Sequence, residues 1–167
     1  MMSAEPLFRN AVPADAARCY DIEISAYEGD EAATLDKIAL RIGEYPQGFL
    51  VLEIGGRIVG FINSGCADNV VMADEAFKEL VGHDPEAENA VIMSVVVDPA
   101  FQGHGYSTLL MREFIARMQV MGKKTIHLMC RDHHVGLYEK FGYSYVKPSA
   151  SDHGGLAWHE MVMEFSR

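Results

Sequence analysis

Several features that define other protein classes are scarce or missing in this chain of 167 residues. Its cysteines number three, widely spaced and set among apolar residues, which favours buried thiols in a reducing cytosol over a disulfide framework. No CxxC pair occurs, and His133-His134 has no further ligands at a useful spacing, so we expect no metal site. No apolar run approaches the roughly 20 residues of a membrane span. The N-terminal MMSAEPLFRN lacks the pattern of a signal peptide, so we expect a cytoplasmic protein that does not enter a membrane.

Basic residues are also scarce, since 14 Lys and Arg against 24 Asp and Glu give a formal net charge of −10. Nucleic acid is therefore not an expected partner, because phosphate contacts need a basic surface.

The charge is uneven along the chain. Residues 68–88 hold seven acids and one lysine, whereas residues 112–147 hold seven bases and three acids. The first stretch would attract a cation and the second would tolerate an anion, although two differently solvated surfaces explain the same numbers.

Repeats, low-complexity segments and Pro/Gly/Ser-rich linkers are missing as well, which predicts one domain over residues 1–167. Apolar spacing and capping signals predict four main helices: PADAARCYDIEISAY, TLDKIALRIGEY, STLLMREFIARMQVMG and VGLYEKF. A shorter helix is expected around ADEAFKELVG in the acidic stretch. The predicted strands are PLFRNA, the hairpin GFLVLEIGGRIVGFINSG, AVIMSVVV, KTIHLMC, YSYVKP and LAWHEMVMEF. We therefore predict a mixed α/β sheet whose first half is antiparallel, with a right-handed strand–helix–strand crossover after AVIMSVVV.

The segment DPAFQGHGYSTLL places Gly103 and Gly105 where a buried strand hands over to a helix. The first turn of a helix presents unpaired N–H groups and the positive end of its dipole, which together bind anions. Glycine allows a positive φ and lets a phosphate come close to the backbone. The stretch from Gln102 to Thr108 therefore suits a pyrophosphate held by main-chain amides, and an ordinary glycine-containing turn is the alternative. Its spacing matches neither the P-loop nor G-x-G-x-x-G.

The same stretch resembles the Q/R-x-x-G-x-G/A signature of the GNAT superfamily of N-acetyltransferases, with Ser107 in place of the last small residue. SVVVDPAF resembles the strand before that signature, and LYEKFGY resembles the family's tyrosine-bearing helix. The order of elements matches over about residues 6–165. Within the superfamily, LMCRDHHVGLYEKFGY, FINSG and LDKIALRIGEYP look most like the arylalkylamine (serotonin-type) N-acetyltransferases.

This resemblance implies a GNAT-type fold, with about seven strands and about four helices and a splay between the fourth and fifth strands. It also implies acetyl transfer from acetyl-CoA to an amine. The main chain of Val95 and Val97 would bond the pantetheine arm, the loop amides would hold the pyrophosphate, and Tyr138 would face the sulfur. The positions that the resemblance assigns to coenzyme A are Val95, Val96, Val97, Gln102, Gly103, His104, Gly105, Tyr106, Ser107 and Thr108.

Acetyl transfer to an amine needs both a proton acceptor and a proton donor. A primary amine with a pKa of about 10.4 is neutral in only about one in 2,500 molecules at pH 7, and only the neutral form attacks a thioester. The departing thiolate needs a proton or a hydrogen bond. Tyr138 can supply it, since a tyrosine with an ordinary pKa near 10 stays protonated at pH 7. A tyrosine that only packs on the sheet is the alternative for this position.

The proton acceptor is where this sequence departs from the arylalkylamine members. They carry a pair of histidines on the fourth strand, where this chain has Val91 and Met93. Glu88, at the start of the same strand, is the predicted replacement, and a solvated carboxylate at a strand end is the alternative. His127 on the next strand is a second candidate, although a lone histidine in an apolar strand is more often a core residue.

Three functions stay open at this level. A small-molecule amine N-acetyltransferase with an arylalkylamine-like or polyamine-like acceptor is favoured, and a protein lysine or N-terminal acetyltransferase fits the acidic stretch equally. A domain that binds acetyl-CoA as a sensor without turnover is the third. From the family layout, we expect residues 15–45, including Tyr27, Gly29 and Asp30, to form one wall of the acceptor site. A homodimer is left open.

Overall fold

The computed structural model describes residues 5–27, 32–72, 75–150 and 157–165. In chain order its main elements are β1 (Leu7–Asn10), α1 (Ala16–Ala26), α2 (Leu35–Glu44), β2 (Phe49–Ile54), β3 (Arg57–Ala67), β4 (Asn89–Val97), α3 (Tyr106–Val120), β5 (Thr125–Cys130), α4 (Val135–Phe141), β6 (Ser144–Pro148) and β7 (His159–Glu164). The short helix predicted in the acidic stretch is a 3-10 helix, Glu75–Glu79. None of the helices within the described ranges is both long and apolar enough to cross a membrane.

The strands form one mixed sheet in the order β1-β2-β3-β4-β5-β7-β6, which confirms the predicted fold class. The strands β1, β2 and β3 pair antiparallel, and β7 pairs antiparallel with both β5 and β6. Parallel pairing joins β4 to β5 over Asn89–Val91 and Thr125–His127. Beyond this ladder β4 continues to Val97 and β5 to Cys130. A short ladder between two longer strands is what the predicted splay requires.

Local signals explain where several elements begin and end. The Thr34 hydroxyl accepts a hydrogen bond from the Lys37 amide at 3.3 Å and thereby caps α2. In the β2–β3 hairpin, Gly55 and Gly56 have φ of 60° and 80°, the left-handed values that a tight two-residue turn requires. At the end of α4, Gly142 takes a φ of 108° and closes the helix.

The chain forms two compact units, residues 1–64 with 94–114 and residues 65–93 with 115–167. In the first unit, α1 and α2 pack on β2, β3 and the end of β4 through a buried cluster of Ala11, Cys19, Ile22, Ile38, Ile42, Phe49, Val51, Ile58, Phe61 and Val96. In the second unit, alternate residues of β5 and β7 are buried: Ile126, Leu128, Cys130, Met161 and Met163. The prediction of a single domain stays a prediction.

The three cysteines are buried and free, as the sequence predicted. Burial raises the pKa of the Cys19 thiol to about 12 and that of Cys130 to about 11. Both therefore stay protonated at neutral pH and behave as small apolar side chains.

Gly60 on β3 allows the end of β4 to pack closely. A Cβ at this position would lie 2.7 Å from the Val96 carbonyl oxygen and 3.0 Å from Leu110 Cδ1.

Because the Val96 contact is with backbone, Gly60→Ala should displace β4 and lower the free energy of unfolding by about 1 to 3 kcal/mol. Urea unfolding measures this loss. In the matched control Gly43→Ala, on the exposed side of α2, a Cβ meets nothing within 4 Å, and we expect a gain of up to about 1 kcal/mol. Equal stability of the two variants would contradict the packing constraint.

Candidate functional site

The loop before α3 has the backbone conformation that the glycine pattern predicts. Gly103 and Gly105 have φ of 84° and 77°, a region that other residues rarely adopt. A Cβ at either position would meet no atom within 4 Å. The glycines are therefore needed for their dihedral angles, and the space in front of them is open to a ligand.

The backbone N–H groups of residues 103–108 form a row of available donors. Within the described ranges, none of them has a hydrogen-bond acceptor in the protein. The next amide, that of Leu109, donates to the Gly105 carbonyl at 3.2 Å and continues the helix. These amides lie at the positive end of the α3 dipole, in a largely exposed loop. The arrangement fits a pyrophosphate, and it brings together the whole stretch from Gly103 to Thr108 that the sequence singled out.

Asp98, directly after β4, fixes the backbone that leads into the loop. Its carboxylate accepts hydrogen bonds from the Ala100 amide at 3.0 Å and from Arg18 on α1 at 2.7 Å. Its own amide donates to the Val59 carbonyl at 2.8 Å. Burial opposes ionisation of Asp98, but the donors Ala100 and Arg18 outweigh it and hold the pKa of the carboxyl below its usual value. Asp98 before Pro99 is a recognisable capping signal, whereas Arg18 lies too far away in sequence to have been predicted.

The carbonyl groups of Val95 and Val97 already take part in protein hydrogen bonds. Val95 accepts from the Tyr27 hydroxyl at 3.2 Å, and Val97 accepts from the Gln102 side chain at 3.4 Å. Each carbonyl oxygen has a second lone pair, so these bonds do not exclude a ligand. Their predicted contact with pantetheine stays a prediction. Tyr27 thus links the end of α1 to β4, while Gly29 and Asp30, predicted beside it, lie outside the described residues.

Tyr138 is half-buried on α4, in an aromatic group. Its ring stands edge-on to Tyr143, with centroids 5.7 Å apart, and to His134 at 6.3 Å. Burial raises the pKa of Tyr138 above its usual value, and Cys130 adds to the shift. Within the described chain its hydroxyl has no protein hydrogen-bond partner. It therefore keeps its proton at neutral pH and has it available to donate.

The two predicted proton acceptors have different surroundings. Glu88 is exposed, forms an ion pair with Lys124 at 3.0 Å, and accepts the Lys124 amide on its carbonyl. His127 is half-buried on β5 and pairs with Val91 in the parallel ladder. Burial lowers the pKa of His127, and the charge of Glu164 opposes this shift. Both roles stay predictions.

A buried polar group in the first unit was missed from the sequence. It consists of Glu23 on α1, Arg41 on α2 and Asn63 on β3, which are 1 %, 3 % and 0 % exposed. Arg41 donates to Asn63 at 3.4 Å, and Glu23 accepts the Ala33 amide at 2.8 Å. Burial lowers the pKa of Arg41 to about 10, against the opposing effect of Glu23. Arg41 lies three residues after Ile38 in sequence. This spacing was the signal that could have placed Arg41 on the buried face of α2.

Comparisons with known proteins bear on the family and the fold of the chain. Residues 16–143 match the model of the Acetyltransferase (GNAT) family. Serotonin N-acetyltransferase of Mesocricetus auratus is 29% identical over 159 residues, covering 92% of this chain and 75% of that protein. The loading GNATL domain of CurA from Lyngbya majuscula superposes with a TM-score of 0.84 at 15% identity, covering 96% of this chain and 98% of the domain. The putative acetyltransferase yncA from Salmonella typhimurium was solved with its cofactor acetyl-CoA. It superposes with a TM-score of 0.71 at 20% identity, covering 98% of this chain and 96% of that protein.

The chain belongs to the GNAT family of acetyltransferases. The family match and the N-acetyltransferase relative together identify it as an N-acetyltransferase. The resemblance drawn from the glycine loop and the tyrosine helix is thereby confirmed at the level of the family.

The ion pair behind the loop predicts a pH-dependent stability. Asp98→Asn keeps an oxygen for the Ala100 amide but removes the charge that Arg18 contacts, and should cost about 1 to 3 kcal/mol at pH 7. Because the pKa of Asp98 is lowered by folding, this stabilisation is present above the unfolded-state value of about 3.9. It is lost as the pH falls through the folded-state value. Urea unfolding from pH 7 to pH 3 should therefore show the two proteins converging. Glu88→Gln, which breaks the exposed pair with Lys124, serves as the control and should change stability by at most about 1 kcal/mol.

Proposed function

We propose that this chain transfers the acetyl group of acetyl-CoA to the primary amine of a small molecule, of an arylalkylamine-like or polyamine-like kind. The observation that carries the proposal is the row of backbone N–H groups at residues 103–108. They have no acceptor among the described residues and lie at the positive end of the α3 dipole. The serotonin N-acetyltransferase that the chain resembles acts, by its name, on a small amine. This likeness favours a small acceptor over a protein.

We assign cofactor binding and proton donation to different residues according to their chemistry. Acetyl-CoA supplies the acetyl thioester. The amides from Gly103 to Thr108 would hold its pyrophosphate, and the main chain of Val95 and Val97 would hold its pantetheine arm. The Tyr138 hydroxyl, which burial keeps protonated, would donate its proton to the sulfur as the thiol forms. Holding amine and thioester in line would supply much of the remaining rate gain.

The acidic stretch favours a cationic acceptor. Glu79, Asp84, Glu86 and Glu88 are exposed, and the whole chain carries a formal net charge of −10. A negative surface raises the local concentration of ammonium ions. It also raises the pKa of a bound amine, so it assists capture and leaves deprotonation to another group.

Thiol release from acetyl-CoA, measured against aromatic amines, polyamines, aminoglycosides and basic peptides, tests the activity directly. We expect turnover with at least one small amine, and Tyr138→Phe should lower kcat by about 10- to 1,000-fold through loss of the proton donor. The Kd for acetyl-CoA should stay nearly unchanged.

Each other outcome of this assay has a definite meaning. Turnover with peptides alone would make the chain a protein acetyltransferase, and tight binding of acetyl-CoA without release would make it a sensor. Unaltered turnover in Tyr138→Phe would leave that ring a packing role only.

Gly105→Glu tests the phosphate site separately from turnover. The new carboxylate would stand in the open space in front of the loop and repel the pyrophosphate, so the Kd for coenzyme A should rise at least about 100-fold in calorimetry. Gly105→Ala isolates the strain of a side chain at a φ of 77° and should weaken binding less. Gly43→Glu, an exposed change on α2, adds the same charge and should leave binding nearly unchanged. Retained binding in Gly105→Glu would move the phosphates elsewhere.

A further inference from the structure

The ladder between β4 and β5 fixes the face of the sheet on which His127 lies. Val91 and His127 are direct partners in this parallel pair. Side chains of paired residues on neighbouring strands share a face, and every second residue of a strand returns to it. His127 therefore shares a face with Val91 and Met93 of β4, and with Met129 of its own strand.

On β5 this face is less buried than the opposite one, while Val91 beside it on β4 is 7 % exposed. Ile126, Leu128 and Cys130 alternate with His127 and are buried, whereas Thr125, His127 and Met129 are half-buried. His127 is thus not a core histidine, which was the alternative that the apolar strand suggested. Within the described ranges its ring makes no hydrogen bond to the protein. A buried structural histidine is normally held by such a bond. Both ring nitrogens of His127 are free of protein partners in the described chain, so one can accept a proton.

Two carboxylates of β7 lie on this face near the ring, since Glu160 pairs with Met129 and Glu164 pairs with Thr125. The ladders place Val91 of β4 on one side and Val162 of β7 on the other. Asn89 and Thr125, at the start of β4 and β5, bond to each other at 2.7 Å. The charge that acts on the ring is that of Glu164, exposed on β7 and opposite Thr125. Burial outweighs this carboxylate and lowers the pKa of His127 from its usual value, which favours the neutral ring at pH 7.

We propose that His127 is the group that takes the proton from the acceptor amine. The inference rests on the proposed N-acetyltransferase activity and adds the base that this reaction needs. A half-buried neutral imidazole with uncommitted nitrogens suits the role better than Glu88, which is exposed and engaged by Lys124. The charge of Glu164 favours the imidazolium, so it would stabilise His127 once the ring has taken the proton from the amine.

The protons and bonds balance as follows. The ammonium gives one proton to His127, which releases it to water, and the neutral amine nitrogen then forms a bond to the acetyl carbon. The bond from that carbon to sulfur breaks, and Tyr138 gives its hydroxyl proton to the departing sulfur. The nitrogen loses a second proton, which restores the Tyr138 hydroxyl. One proton is released overall.

The test compares the pH dependence of kcat/KM in the wild type and in His127→Gln, with thiol release as the assay. Loss of a general base should lower kcat/KM by about 100- to 10,000-fold at pH 7. It should also remove the fall in activity that protonation of His127 causes on the acid side. Added imidazole should restore part of the activity of His127→Ala. His133→Gln, an exposed histidine change, should keep the wild-type rate and pH profile, and equal urea midpoints would show that all variants fold.

The outcomes separate this proposal from the activity on which it rests. Thiol release by the wild type with an unchanged rate and acid limb in His127→Gln would overturn the role of His127 alone. A larger loss in Glu88→Gln than in His127→Gln would give the role to Glu88. Failure of the wild type with every amine would overturn both proposals. NMR titration of the His127 ring needs no turnover, and a ring still protonated at pH 7 would overturn its role as the base.

Discussion

The structure depends most on the backbone N–H groups at the start of α3, which find no acceptor in the part of the chain that the structure describes. An amide without a protein acceptor is stable only where water or an anion can reach it, and the two glycines keep that approach open. Their positive φ values would be strained in other residues. The hydrogen bonds of Asp98 with Arg18 and with the Ala100 amide fix the backbone that precedes the loop. Main-chain donors fixed in this way would need no reorganisation to bind the diphosphate that we propose.

The two groups to which we assign proton transfer share one physical cause. Burial disfavours the charged form of any side chain, so it raises the pKa of Tyr138 and lowers that of His127. At neutral pH the phenol then keeps its proton and the imidazole stays without one. A single property of the second unit would thus supply both the donor and the acceptor that we propose.

Charge is used differently in the two units. Exposed carboxylates dominate residues 76–88 of the second unit and favour the arrival of a cation. In the first unit, Glu23, Arg41 and Asn63 are buried together between α1, α2 and β3. Buried polar groups of this kind require partners at fixed positions, so they restrict how α1 and α2 can pack. These two helices belong to the segment that we expect to form one wall of the acceptor site.

The sequence by itself determined what depends on neighbouring residues: the helices and strands, the hairpin turn, the glycine loop and its resemblance to the GNAT family. These follow from apolar periodicity, caps and positive-φ glycines within about 15 residues of chain. Only the tertiary structure decided that Arg18 bonds to Asp98, that Arg41 is buried, and that His127 lies on the half-open face of the sheet. Each of these features depends on which segments, distant in sequence, pair in the fold. The packing of the whole chain sets this pairing, and a local sequence pattern does not predict it.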